Sequence, residues 1–309
     1  MRIHLIVDFQ YNYYRVKYGF ERGKGYRKRL SSIVDDEEID TTYMYLVLKD
    51  IESYREKYRF LSDGTENDVY TSIAADSKSI RKEEDSEYKS NRDNKLDDTD
   101  FENISRTLET LKVAGYNIYK KDGMEADDII RALVMKYEND FDLTIIHTND
   151  SDILVNLSNK VGVARFKSNI KNHILITPYN FSEVMGAEFK CQMPYNCIML
   201  YKCLVGDKSD KIKGVAGFGA ARFNKLITYL GNDYNFEGLK DVENVENCLN
   251  GLNASGFLTD EQLEEARHSL DLVKFRQVDL KDFEAPIKAD TDETRRVAYM
   301  KYNMASLVK

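Results

Sequence analysis

Cysteine is scarce in this chain. Cys191, Cys197, Cys203 and Cys248 include no pair at C-x-x-C spacing, which argues against a zinc site and for reduced core residues of a cytoplasmic protein. Histidine is equally sparse. His4, His147, His173 and His268 are scattered, form no Ser/His/Asp arrangement and read as core or surface residues. No apolar run approaches the length of a membrane span, and the chain starts on a strand-like segment with no signal peptide before it. The three prolines and 21 tyrosines carry no functional reading. Basic charge is also in deficit: 45 basic against 53 acidic residues leave a net charge of −8, which at face value argues against a nucleic-acid partner.

What is present is enough for a globular protein. With 309 residues, 42% of them hydrophobic, the chain can bury one large domain and a smaller one. Its most informative stretch is G-M-E-A-D-D-I-I, Gly123 to Ile130, which places Glu125, Asp127 and Asp128 within four residues. Ile129, Ile130, Leu133, Val134 and Tyr137 follow at helical spacing, so the acids lie in a first helical turn. The positive end of a helix favours one or two anions. Three repel one another unless a cation joins them, and carboxylate oxygens suit magnesium or manganese. An acidic, solvated helix start is the plainer alternative.

Strand-like runs that end on acids recur. Arg2 to Val7 runs into Asp8, with Tyr14 and Arg15 close behind, and Asp68 to Ala75 runs into Asp76. Asp142 to His147 leads to Asp150 and Asp152, and Tyr116 to Tyr119 leads into the acidic helix. β-Branched runs of this kind read as buried parallel strands, and acids at their carboxyl ends lie where α/β proteins place ligands. Gly19 to Ser32 reads as a basic loop, Glu38 to Tyr58 and Phe101 to Ala114 as helices, and Val161 to Phe166 with His173 to Thr177 as a hairpin. Ser77 to Asp100 is highly charged, with too few apolar residues to form core, so a solvated surface is one reading of it.

A second domain is expected from near Gly186. Pro178 to Met185 reads as a short helix before it and Cys197 to Val205 as an apolar helix within it. Asp207 and Asp210 form a further acid pair, and Gly214, Gly217 and Gly219 make a turn before a helix from Phe218 to Leu230. This is helix-hairpin-helix logic, in which glycines let backbone N–H groups approach a phosphate without reading bases. No strand precedes the turn, which disfavours a Rossmann reading. Residues after Glu237 read as helical and polar, with at least one helix between Asn253 and Leu280; the tail from Lys288 is charged and uninformative.

Taken together, I-V-D with Arg15 downstream, D-S-K-S-I-R…E-Y-K-S-N-R, G-M-E-A-D-D-I-I, and T-N-D-S-D followed by G-D-K-S-D-K-I-K-G-V-A-G-F-G resemble the 5′-nuclease superfamily. That family includes flap endonucleases, the 5′–3′ exonuclease domain of bacterial DNA polymerase I and free-standing bacteriophage exonucleases. The resemblance runs from Asp8 to about Leu230, more weakly to Leu280. It implies an α/β, PIN-like mixed-sheet domain over residues 1–185, with a helical arch at about 77–105. A mostly helical domain over 186–309 would follow, with a helix-hairpin-helix of the H3TH type at about 197–230.

By position, the resemblance implies one metal cluster of Asp8, Asp76, Glu125, Asp127, Asp128, Asp150, Asp152, Asp207 and Asp210, holding two Mg²⁺ for which Mn²⁺ can substitute. Without those nine acids the remainder of the chain stands at +1, so the net charge is a poor guide to partners. The resemblance places Arg81 and Lys89 in the arch as catalytic phosphate clamps, with Tyr88 and Arg92 beside them. Arg15, Gly214, Gly217, Gly219 and Arg222 join Tyr88 and Arg92 as DNA contacts, with a potassium ion at the hairpin. The chain departs from the family pattern in three places. Phe9 stands for a glycine, Lys211 and Lys213 interrupt S-D-N-I-P-G, and Ala221 stands for a lysine next to Arg222.

The implied activity is two-metal hydrolysis of DNA phosphodiesters at 5′ ends, flaps or branches, as 5′–3′ exonuclease and flap endonuclease. It suits a monomer in phage replication or primer removal, within the cytoplasm of an infected bacterium, and RNA–DNA hybrids remain compatible. The alternatives are a related metal-dependent ribonuclease, and a non-catalytic binder of branched DNA, which would have lost metal ligands.

Overall fold

The computed structural model describes residues 1–23, 28–60, 64–90, 96–166, 173–231, 234–283 and 291–308. Strands, in chain order, are β1 (Arg2–Asp8), β2 (Ser31–Val34), β3 (Glu37–Asp40), β4 (Asp68–Ala74), β5 (Asn117–Tyr119), β6 (Leu143–His147), β7 (Val161–Phe166) and β8 (His173–Ile176). The helices used below are α1 (Phe9–Glu21), α2 (Thr42–Arg59), α3 (Arg81–Glu84), α4 (Asp98–Val113), α5 (Ala126–Tyr137), α6 (Phe181–Phe189), α7 (Ile198–Val205), α8 (Ala220–Leu230), α9 (Val242–Ala254), α10 (Asp260–Val273) and α11 (Asp292–Met300). None is long and apolar enough to cross a membrane.

The chain divides into two compact units, each built from separate segments. The first comprises Met1–Lys78, Asn94–Asn149 and Val278–Lys309; the second comprises Ser79–Asp93 and Asp150–Gln277. This differs from the sequence expectation of one cut near residue 186 with the arch on the N-terminal side.

In the first unit, β5, β4, β1 and β6 lie side by side in that order and run parallel. β1 is buried from Ile3 to Asp8, as an inner parallel strand covered on both faces must be. Its register aligns Asp8 with Ala74 and Val7 with His147, so the carboxyl ends of β4, β1 and β6 are level. His4 lies in this core, bonded through Nε2 to Ser72 Oγ at 2.8 Å, and burial lowers its pKa to about 3.

Three sequence expectations are corrected in this unit. Helix α1 runs through Gly19 to Glu21, where a loop was expected. The helix expected from Glu38 begins at Thr42. Residues 37–40 instead pair antiparallel with β2 through a two-residue turn, with Asp35 and Asp36 at φ of 51° and 65°. That is type I′ geometry without the Asn-Gly or Asp-Gly that signals it. The tail, finally, is core: α11 buries Arg295, Ala298 and Tyr299. The Tyr299 and Tyr116 hydroxyls each donate to Glu52 Oε1 of α2 at 2.7 Å.

The second unit holds the antiparallel β7–β8 hairpin and the packed pair α7 and α10. The helix expected at Pro178 to Met185 forms later, as α6. Cys191, Cys197, Cys203 and Cys248 are free and buried here, and burial pushes each thiol up, consistent with inert core residues.

Candidate metal centre and nucleic-acid interface

The first unit gathers five acids. Asp8 ends β1 and caps α1, accepting from the Tyr11 N–H at 3.0 Å and the Thr148 hydroxyl at 2.8 Å. Asp76 lies two residues past β4, the neighbouring strand, and adjacent strands are about 5 Å apart. Its backbone N–H donates to Gln10 Oε1 at 2.8 Å, and its Oδ1 accepts from the Ala126 N–H at 2.6 Å. Ala126 opens α5, so this bond brings the amino end of the acidic helix to the end of β4.

Within that helix start, Glu125 and Asp128 form a reciprocal capping box. Capping thus accounts for two of the three acids that looked excessive for it. Asp128 has no exposed surface and Glu125 is nearly buried, whereas Asp127 is half-exposed. Arg15, on α1, bonds Asn12 and Tyr54 at 2.8 Å and pairs with Asp50, which ties α1 to α2.

The second unit carries the other four acids. The Asp152 N–H donates to Asp150 Oδ1 at 3.0 Å. Lys202, from α7, is buried and pairs with both Asp152 and Asp207, reaching Asp207 Oδ2 at 2.5 Å. Burial alone would raise the Asp207 carboxyl, but the Lys202 ammonium and the Ser209 donors outweigh it and hold it at about 2. Sequence reasoning missed Lys202, although a lone lysine in the apolar run I-M-L-Y-K-C-L-V was a signal.

Asp207 and Asp210 sit on a loop closed by two glycines. Gly214 has φ +66°, and a Cβ there would lie 2.4 Å from the Gly206 nitrogen. The absence of a side chain at Gly214 therefore serves loop closure. Gly217, at φ +71°, and Gly219, which caps α8, face open space. Their backbone is approachable from outside, as a phosphate contact requires. Arg222 is held against the Phe218 and Phe257 rings and donates to the Phe257 carbonyl at 2.7 Å.

The charged stretch is not a solvated surface throughout. Arg81, Tyr88 and Lys89 are buried. Arg81 donates to the Lys274 carbonyl at 2.8 Å, and the Lys89 ammonium lies 4.9 Å from the Tyr88 ring centre and 3.7 Å from Asp210 Oδ2. Arg92 lies outside the described residues.

All nine acids offer oxygen donors, with no thiolate or imidazole in the set, which fits a hard divalent cation. Asp150 directly follows Asn149, the last residue of that segment of the first unit.

Residues 4–186 match the family described as 5′–3′ exonuclease, N-terminal resolvase-like domain. Over 105 residues the chain is 39% identical to a 5′–3′ exonuclease of Bacillus subtilis, covering 34% of this chain and 33% of that protein. Over 165 residues it is 35% identical to DNA polymerase I of Caldicellulosiruptor bescii, covering 51% of this chain and 18% of that protein. The chain thus spans about a third or less of the length of these relatives. Its fold is similar to that of T5 5′-exonuclease with bound divalent zinc, at 20% identity and a TM-score of 0.54, covering 88% of this chain and 100% of that one. It is also similar to the catalytic core of Rad2 in complex with DNA substrate, at 14% identity and a TM-score of 0.50, covering 98% and 88%.

Proposed function

The chain belongs to the 5′–3′ exonuclease family, and from that membership we propose that it is a divalent-metal-dependent, structure-specific 5′ nuclease that hydrolyses DNA phosphodiesters. One observation carries the reading at residue level. The Ala126 N–H to Asp76 bond joins the acidic start of α5 to the strand-end acids, Asp8 among them, in a set of oxygen donors. The proposed substrates are 5′ ends, flaps and branches of DNA, with RNA–DNA hybrid as a compatible primer substrate and a monomer as the acting species.

The proposed ions are two Mg²⁺, with Mn²⁺ as a substitute. Bound to these acids, such a pair would supply a hydroxide nucleophile at neutral pH and neutralise charge on the phosphate and the leaving oxygen. Asp8, Asp76, Glu125 and Asp127 are the proposed metal ligands of the first unit, and Asp150, Asp152, Asp207 and Asp210 those of the second. Asp128, fully buried in the capping box, would act by orienting Glu125.

Lys89 would meet the scissile phosphate by exchanging Asp210 for it, and Arg81 and Tyr88 would support that limb of the arch. Gly217 and Gly219 would present backbone N–H groups to a duplex phosphate, beside a potassium ion, and Gly214 would hold the loop leading to them. Arg15, Arg92 and Arg222 would add backbone contacts that position DNA without reading it.

The test is cleavage of a 5′-flap substrate and a 5′-recessed duplex, each with Mg²⁺ and with EDTA. Cleavage of both with Mg²⁺ and of neither with EDTA is the expected result. Full activity in EDTA overturns the metal-dependent reading, and no cleavage of either DNA under any divalent ion overturns the nuclease reading.

A further inference from the structure

We infer that Thr148 and Gln10 are positioning residues that set the carboxylates of Asp8 and Asp76 before any cation arrives. This rests on the metal-dependent reading above and adds to it two side chains that hold the acids. A carboxylate crowded by others turns outward to lower its repulsion unless a donor restrains it, because rotation about its terminal bond is soft.

Thr148 supplies that restraint for Asp8. It has no exposed surface and lies just past His147, which registers with Val7 of the neighbouring strand. Its hydroxyl donates to Asp8 Oδ2 at 2.8 Å while the Tyr11 N–H holds Oδ1 at 3.0 Å. The bond crosses between parallel strands, and a β-branched side chain is stiff at its first torsion, so the donor itself is fixed.

Gln10 acts on Asp76 from the first turn of α1. Its Oε1 takes the Asp76 backbone N–H at 2.8 Å, and Asp76 Oδ1 in turn takes the Ala126 N–H at 2.6 Å. Gln10, Asp76 and the amino end of α5 thus form one chain of hydrogen bonds. Without the amide acceptor the Asp76 backbone has no such anchor, and the carboxylate can leave Ala126. Partners of this kind typically alter metal affinity or activity by about 10–100-fold.

The test is Mn²⁺ binding to the full chain without DNA, read by calorimetry and by the electron paramagnetic resonance of the bound ion. Thr148→Val keeps the shape and loses the hydroxyl; Thr148→Ser keeps the hydroxyl; Gln10→Met keeps the length and loses the acceptor. Thr148→Val and Gln10→Met should each weaken Mn²⁺ binding about 10–100-fold, with Thr148→Ser close to wild type. Wild-type affinity in both Thr148→Val and Gln10→Met overturns the inference. So does a fall in melting temperature in EDTA with Mn²⁺ affinity unchanged, because that marks a purely structural role. If Thr148→Val fails to fold, Gln10→Met at its half-buried site decides the matter. Failure of the wild type to bind Mn²⁺ overturns the metal-dependent reading itself, and this inference with it.

Discussion

Lys89 and Asp210 are joined twice. The Lys89 backbone N–H donates to the Asp210 carbonyl at 3.1 Å, and the Lys89 ammonium lies 3.7 Å from Asp210 Oδ2. Both residues are buried, and Lys89 holds a left-handed backbone at φ 50°. A solvated surface was one reading of the charged stretch; this lysine is part of a folded contact.

Lys89→Ala is therefore expected to do two things. Single-turnover cleavage of a flap substrate should slow by on the order of 10²–10³, the usual cost of removing a donor that meets transition-state charge. Stability should also fall by about 1–3 kcal/mol, because a buried carboxylate loses a partner. Denaturant unfolding followed beside cleavage and Ca²⁺-supported DNA binding checks both. Wild-type cleavage would remove Lys89 from the chemistry, and unchanged stability would remove the Asp210 contact.

Asp127 is the half-exposed acid of the α5 start and lies outside the capping box. Asp127→Asn should abolish cleavage and leave melting temperature and DNA affinity in Ca²⁺ near wild type. Asp128→Ala, by contrast, should destabilise the fold by about 0.5–2 kcal/mol, because it removes the oxygen that accepts the Glu125 N–H in the capping box. Thermal unfolding of the two variants side by side distinguishes the roles; equal melting temperatures would refute the distinction.

Lys202 holds the folded Asp207 carboxyl at about 2, below its ordinary value of 3.8. A depressed carboxyl contributes stability that is present above its unfolded pKa and is lost as pH falls through the folded one. In the metal-free protein this contribution is roughly 2 kcal/mol, lost between about pH 4 and pH 2. Lys202→Met should raise the Asp207 carboxyl and move acid unfolding to higher pH. An acid-unfolding midpoint unchanged by the substitution would refute the coupling.

The hairpin glycines should separate by function. Gly214→Ala drives a Cβ to 2.4 Å from the Gly206 nitrogen, so the loop must shift and the unit should lose stability. A Cβ at Gly219 meets nothing, and its φ of −101° suits any residue, so Gly219→Leu should fold normally. Its bulk should then reduce duplex affinity about equally for all sequences and make the salt dependence shallower. Affinity loss that depends strongly on base sequence would contradict a phosphate contact.

Tyr299→Phe should destabilise the first unit by about 1.5–3 kcal/mol, since the lost hydroxyl donates to the buried Glu52 carboxyl. Equilibrium unfolding in urea measures it. An unchanged midpoint would mean that α11 adds nothing through this bond.

Much of this protein is local chemistry, and so was legible in its sequence. Ile3, Leu5, Ile6 and Val7 form a short apolar, β-branched run of the length and type that suits a buried strand, and the acids that follow such runs are visible in the sequence. Helix α5 was readable because its apolar spacing and its acidic start depend on residues a few positions apart. Burial of Arg81, Tyr88 and Lys89 was not readable, because a charged stretch becomes interior only when distant partners such as the Lys274 carbonyl and Asp210 meet it. The tail was opaque for the same reason: Tyr299 finds Glu52 across 247 positions of chain. Gln10 carries no local signal, since an amide on a first helical turn is ordinary until a strand end is folded against it. Residue type and short-range period placed acids at strand ends and at a helix start, and the family resemblance implied which of them serve a metal centre. Only the tertiary structure decided what holds them, because hydrogen-bond partners far apart in sequence are chosen by packing rather than by period.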